Sequence, residues 1–317
     1  MSGRTHGDHK EERGERKEHD IKMSKLPGND EKYALKGERE KKMQKNKKKI
    51  NKKIILIIIA VLLILQIGWI AFSGMQWGWG PFAKLHDIKM SKLPGNDEKY
   101  ALNQTEENVH DELQGKKIIF LGSSVTYGAS AKGVSFADYI GKRNQAEVVK
   151  EAVSGTTLVD NGANSYISRL KKIKEAQADL FICQLSTNDA SQKKELGMIG
   201  ESKELDSFDT ETVSGAIEYI ICYAKETWDC PVMFYTNPRY DSAEYEEMVQ
   251  LLLQIQKKWG IGVIDLWNDA EFNELTDEEC SLYMADNIHP TQAGYLEWWT
   301  PYMEEKMEEY LADQKSK

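Results

Sequence analysis

The chain has 317 residues and a formal net charge of −9, placed very unevenly. Residues 1–53 carry 18 basic and 10 acidic side chains, a net of +8, which leaves −17 for the remainder. An acidic body of that kind excludes nucleic acid as a partner, because phosphate binding needs a basic face.

Residues 1–53 are too charged and too poor in apolar side chains to bury a core, which predicts a disordered, basic cytoplasmic tail. Ile54–Phe72 is then an uncharged run of 19 residues with Gln66 as its one strongly polar side chain. At ~1.5 Å per residue it matches a hydrocarbon layer of roughly 30 Å, so a transmembrane helix is expected over residues 54–73. Trp69, Trp77 and Trp79 fall where an interfacial aromatic belt would sit. Residues 41–53 hold eight lysines and no acid, whereas residues 73–83 hold no Lys or Arg. Positive charge stays inside, so the N-terminus is expected in the cytoplasm and everything beyond the span outside, in a single-pass protein of the cell membrane.

The 17 residues His19–Leu35 recur letter for letter at His86–Leu102. One copied segment is too few for a solenoid, and a recent duplication is the simplest origin. Residues 74–115 read as a polar extracellular stalk.

From Lys116 the pattern alternates between strand and helix. Apolar runs occur at Ile118–Leu121, Glu147–Val153, Leu180–Leu185, Val232–Tyr235 and Val263–Leu266. Ser135 and Asp138 have the spacing of a capping box. Val213, Ile217, Ile220, Ile221 and Trp228 form one helical stripe, and Tyr245, Met248, Leu251, Leu252, Ile255 and Trp259 another. Ala190–Phe208 has no clear period and reads as a long loop. Continuous apolar strands between helices predict an α/β domain over residues 116–317, with a parallel sheet covered on both faces. Cys183, Cys222, Cys230 and Cys280 have neither metal-ligand spacing nor the density of a disulfide framework. Cys183 reads as a small core residue; a disulfide among the other three stays open.

Four short segments carry chemistry, each at the carboxyl edge of the expected sheet or just before the last helix. Gly122-Ser123-Ser124 through Gly128 delivers a hydroxyl onto a tight turn, at the edge where α/β sheets bind ligands. Ser154-Gly155-Thr156 follows the second strand, and Ser186-Thr187-Asn188-Asp189 the third. Asp286-Asn287-Ile288-His289 places a carboxylate three residues before an imidazole, where it can orient the ring to take a proton from a serine. Asn188 has the side-chain amide, and Gly155 the backbone N–H, that an oxyanion requires. Taken alone, each segment is equally ordinary turn chemistry. Arg239, after the fourth strand, is a candidate for the rim of the site and an anionic substrate group. Trp298 and Trp299 read as packing.

In this order the four segments resemble the blocks of the SGNH (GDSL-like) hydrolase family, over about Lys116–Leu311. The resemblance implies a three-layer α/β/α sandwich with a flavodoxin-like sheet. It makes Ser124 the nucleophile, Asp286 and His289 its partners, and Gly155 and Asn188 oxyanion donors. Ser123 stands where the family often has Asp, and Ser186 where it often has Gly. Ester hydrolysis through an acyl-serine follows, with no metal or cofactor. With the anchor, the expected protein is an extracellular esterase acting on an acylated small molecule or on O-acetylated cell-envelope glycan. Two alternatives remain open: an O-acyltransferase with the same residues, and a non-catalytic envelope-binding ectodomain.

Overall fold

The five apolar runs become the strands of one sheet in the computed structural model, which describes residues 29–77 and 80–316. The chain divides into two units, Met1–Ala71 and Phe72–Lys317. In the second, β1 (Lys117–Gly122), β2 (Glu147–Ala152), β3 (Leu180–Gln184), β4 (Val232–Tyr235) and β5 (Gly262–Ile264) are all parallel. Their order is β2-β1-β3-β4-β5, the flavodoxin-like arrangement. Helices α1 (Asn29–Trp77) and α2 (Ala83–Met90) precede the sheet. Between strands come α3 (Ser124–Tyr127), α4 (Phe136–Asn144), α5 (Tyr166–Leu170), α6 (Thr187–Ser191), α7 (Val213–Trp228) and α8 (Ala243–Trp259). After β5 come α9 (Asp277–Tyr283) and α10 (Thr300–Lys315).

Successive strand residues point to opposite faces, and both faces are packed. Ile119, Leu121, Phe181 and Phe234 meet the stripes of α5, α7 and α8. Ile118, Phe120, Ile182 and Tyr235 meet Phe136 and Tyr139 of α4, together with Trp299, Met303 and Met307 at the C-terminus. The result is the three-layer α/β/α sandwich. The capping box of Ser135 and Asp138 opens α4. All four cysteines are free thiols, so the disulfide left open among Cys222, Cys230 and Cys280 does not form. The irregular segment after α6 is pinned by Lys258, which pairs with buried Glu218 and donates to the carbonyls of Gly200 (2.7 Å) and Ser202 (2.6 Å).

Two expectations change. The first is disorder over residues 1–53, because residues 29–53 belong to α1, a continuous helix of 49 residues. Lys, Glu, Gln and Met are good helix formers, and a helix nucleated by the apolar run extends at little cost. Residues 54–69 of α1 leave their apolar side chains exposed (Ile64 by 68%), and the helix is long and apolar enough to cross a membrane. Residues 1–28, which include His19–Gly28 of the first copy, lie outside the described residues, as do Trp79 and the side chain of Trp77.

The second change concerns the stalk. Residues 80–115 pack onto the sheet domain, with Met90, Tyr100 and Leu113 buried. Three apolar anchors without periodicity leave no local pattern to read. Asn96 joins three separate segments: its Nδ2 donates to Met90 O (2.9 Å) and Ser130 O (2.7 Å), and its Oδ1 accepts from Gln292 N (2.8 Å). The second copy of the repeat is therefore a strap clamping the loop after Ser124 to the loop after His289. Asn96→Ala takes the Asn96 partner from Ser130 O and Gln292 N, while Met90 O keeps the Leu93 N–H at 3.1 Å, and is expected to cost roughly 2 kcal/mol, read as a lower urea midpoint at unchanged m.

Candidate active site

The sheet exits at its topological switch point, between β1 and β3, where such folds bind ligands. Gly122 ends β1 and α3 begins at once with Ser124. Ser124 Oγ lies 2.7 Å from His289 Nε2. Its neighbour Ser123 is fully buried, and its N–H (2.9 Å) and hydroxyl (3.3 Å) both donate to Gln184 Oε1. Thr126 Oγ1 donates to the same oxygen at 2.9 Å. One glutamine on β3 thus holds the turn so that Ser123 faces inward and Ser124 faces the imidazole.

The histidine is held as firmly. His289 Nδ1 lies 3.0 and 2.9 Å from the two Asp286 carboxylate oxygens. A carboxylate only accepts, so Nδ1 carries the proton and Nε2 is left to accept from the serine hydroxyl. Asp286 Oδ1 also takes the backbone N–H of Ile288 and His289, both at 2.8 Å. Partial burial alone would raise the Asp286 carboxyl. The hydrogen bond and charge of His289, with those two N–H groups, outweigh it and bring it down to about 2. From the loop after β4, Asn237 Nδ2 secures the turn through Ile288 O at 3.1 Å.

Gly155 has φ +78° with open space where a side chain would stand. That left-handed backbone is cheap only for glycine. Asn188 Nδ2 donates to Thr156 O at 2.9 Å, which spends one amide hydrogen and leaves the other. Asp189 is pushed up by burial, against hydrogen bonds from Ser186 and from the N–H groups of Leu158 and Val159. Ser124, Gly155, Asn188, Asp286 and His289 line one cavity of about 490 Å³. Removing an oxyanion donor costs on the order of a hundred- to a thousandfold in rate. Asn188→Ala is expected to show that loss in kcat for an activated ester, with KM nearly unchanged.

Arg239 lies apart from this group. It is exposed, with its guanidinium 5.8 Å from the Trp267 ring, and lines a neighbouring cavity that shares Asp286. Trp298 is stacked on Phe272 at 4.6 Å and Trp299 is fully buried, both as packing. Four residues that position the site escape a reading of the sequence: His86, Asn96, Arg169 and Gln184. Buried Arg169 reaches both Gly122 O (2.8 Å) and Thr156 Oγ1 (3.0 Å). Among the described residues no cluster of His, Cys, Asp and Glu has the arrangement to hold a metal ion.

A serine beside a carboxylate-bound histidine, at the carboxyl edge of a parallel α/β/α sheet, defines a class of ester hydrolases. The chain belongs to the GDSL-like lipase/acylhydrolase family, whose model matches residues 120–296. Among solved structures, a protein from Lactobacillus plantarum is 19% identical with a TM-score of 0.51, covering 63% of this chain and 98% of its own. A protein classed with the GDSL-like lipases from Bacteroides ovatus is 18% identical with a TM-score of 0.46, covering 61% and 98%. A family two carbohydrate esterase from Clostridium thermocellum, solved with cellohexaose, is 13% identical with a TM-score of 0.45, covering 64% and 65%. At these identities the likeness is one of fold. No curated protein matches the chain in sequence.

Proposed function

We propose that this chain is a membrane-anchored serine esterase that removes acetyl groups from cell-envelope carbohydrate outside the cell. The observation that carries this reading is the 2.7 Å contact between Ser124 Oγ and His289 Nε2, with Asp286 behind the ring. His289 takes the hydroxyl proton as Ser124 Oγ bonds to the ester carbonyl carbon. The resulting oxyanion is met by the N–H groups of Ser124 and Gly155 and the free amide hydrogen of Asn188. As the tetrahedral centre collapses, the sugar oxygen leaves with the proton from His289. Water, giving its own proton to His289, then cleaves the acyl-serine, and Ser124 is restored.

The wall around these groups supports a short acyl chain. Its remaining residues are His86, Ala129, Ser130, Ser154 and Gln192, so no aliphatic side chain larger than alanine lines it. A long hydrocarbon chain would lie against polar groups there. Arg239, which lines the neighbouring cavity, is the candidate partner for an anionic substituent of the glycan. The lysine-rich flank of the apolar helix supports the outward orientation.

The test uses p-nitrophenyl acetate, butyrate and octanoate with the full chain in detergent, together with a fluorophosphonate probe. Preference for acetate, with labelling abolished in Ser124→Ala, is the expected result. Preference for octanoate, or labelling that survives Ser124→Ala, would overturn the reading. Acetyl transfer to a glycan hydroxyl without release to water would assign an O-acyltransferase instead.

A further inference from the structure

Beside the catalytic cavity lies a second one of about 530 Å³. His86, Ala129 and Ser154 line both, so the two are adjoining chambers of one cleft. One wall of the outer chamber, His86, Asp87, Ile88 and Ser91, comes from the strap, the stretch that the sequence presents as a linker. Asp87 and Ser91 line it together with Tyr127 and Lys132.

The walls are fixed in place. His86 is buried, its ring nitrogens 3.2 Å from Met75 O and 3.0 Å from Ala129 O. Lys132 holds a left-handed backbone (φ +57°), and its Nζ donates to Asn96 O at 2.6 Å. A non-glycine residue in that region costs on the order of 1 kcal/mol and persists only where its surroundings require it. Tyr127, three residues after Ser124, keeps 45% of its surface exposed while Lys150 Nζ sits 5.8 Å from its ring centroid.

An exposed aromatic ring ringed by a carboxylate, an ammonium and hydroxyls suits one kind of ligand. A pyranose has an apolar C–H face that rests on an aromatic face, and a rim of hydroxyls that both donate and accept. An acyl chain would need continuous apolar walls, and Ile88 is the one aliphatic side chain larger than alanine that lines this chamber. We propose that the outer chamber is a glycan subsite for the sugar next to the acylated one, which stacks on Tyr127 and hydrogen-bonds Asp87 and Ser91. The proposal rests on the esterase reading above and specifies an oligosaccharide chain, in place of an isolated acetyl ester, as the substrate.

The experiment takes the full chain in detergent and compares acetylated β-linked oligosaccharides of increasing length with p-nitrophenyl acetate. In the wild type, kcat/KM should rise from monosaccharide to disaccharide and beyond. Tyr127→Ala should lower the ratio of oligosaccharide to p-nitrophenyl acetate kcat/KM about tenfold, a loss of ~1.4 kcal/mol in binding. Asp87→Asn should lower it by a smaller factor, and Tyr127→Phe, which keeps the ring, should preserve it. A ratio unchanged in folded Tyr127→Ala, or no dependence on chain length, would overturn the subsite. Calorimetric binding of unacetylated oligosaccharide to Ser124→Ala, with and without Tyr127→Ala, separates the two readings. Tyr127-dependent binding without any esterase activity sustains the subsite and removes the esterase; esterase activity without such binding does the reverse.

Discussion

Ser124→Ala is expected to lower kcat for p-nitrophenyl acetate by about a millionfold, and His289→Ala by a similar factor. The two side chains act as one unit across a 2.7 Å contact, so the double variant should lose little more than either alone. What remains should come from the oxyanion donors and substrate binding. Asp286→Asn should cost about ten thousandfold, because an amide can donate to Nδ1 and so favour the wrong tautomer. Single-turnover kinetics on folded variants reads all three. Asp286 is held down to about 2, so it stays ionised across mildly acidic conditions. Its depressed value also sets the sign of its stability term. The contribution is fully present above the unfolded carboxyl value of about 4 and is lost as pH falls towards 2. Asp286→Asn should therefore flatten that part of the acid unfolding curve. Equal turnover in wild type and Ser124→Ala would exclude acyl-serine chemistry altogether.

The sheet was legible because β1, β3 and β4 are built on continuous apolar runs stopped by a small or polar residue, while the edge strand β2 carries Lys150 and Glu151 among its apolar residues. That pattern has one common explanation, burial on both faces. Ser124, Asp286 and His289 were legible as short-range motifs. The structure then joins residues 165 positions apart, which no spacing argument reaches. The misread segments share a cause. Asn29–Leu35 and Asn96–Leu102 have the same sequence, yet the first lies within α1 and the second forms tight turns broken by extended Asp97 and Ala101. Identical local preferences give two backbones, so packing decides between them: Tyr33 is 61% exposed and its counterpart Tyr100 is 5% exposed. The residues missed at the site are of the same kind. Gln184, Asn96 and Arg169 act through side-chain contacts to segments far away in the chain, and a lone Gln, Asn or Arg leaves no periodic trace.

Arg169→Gln is expected to lower both stability and kcat, because one guanidinium ties together the loops that hold the proposed oxyanion donors. Its Nη1 donates to Glu151 O at 2.8 Å and Oε1 at 3.2 Å, its Nε to Asn164 O at 3.0 Å, and its Nη2 to Gly122 O and Thr156 Oγ1. Gly122 immediately precedes the Ser123–Ser124 turn, and Thr156 immediately follows Gly155. Thr156 O in turn receives the Asn188 amide at 2.9 Å. The three groups proposed as oxyanion donors are thus linked through one buried side chain. Losing it removes a charged donor from the carbonyls of Gly122, Glu151 and Asn164, of which Gly122 O keeps the Val153 N–H at 3.3 Å, at a cost of roughly 3 kcal/mol. In a domain of this size that corresponds to about 10 °C in Tm. Displacing donors by even an ångström is worth up to about a hundredfold in rate, so kcat should fall by at least about tenfold well below the new Tm. KM should change less, since the displaced groups meet charge that develops only in the transition state. Arg169→Lys is the discriminating variant. An ammonium cannot span Gly122, Thr156 and Glu151 as a planar fork does, so it should recover part of the stability and little of the kcat. Full kcat in a folded Arg169→Lys protein would mean that the alignment of the oxyanion donors is secured by the backbone alone.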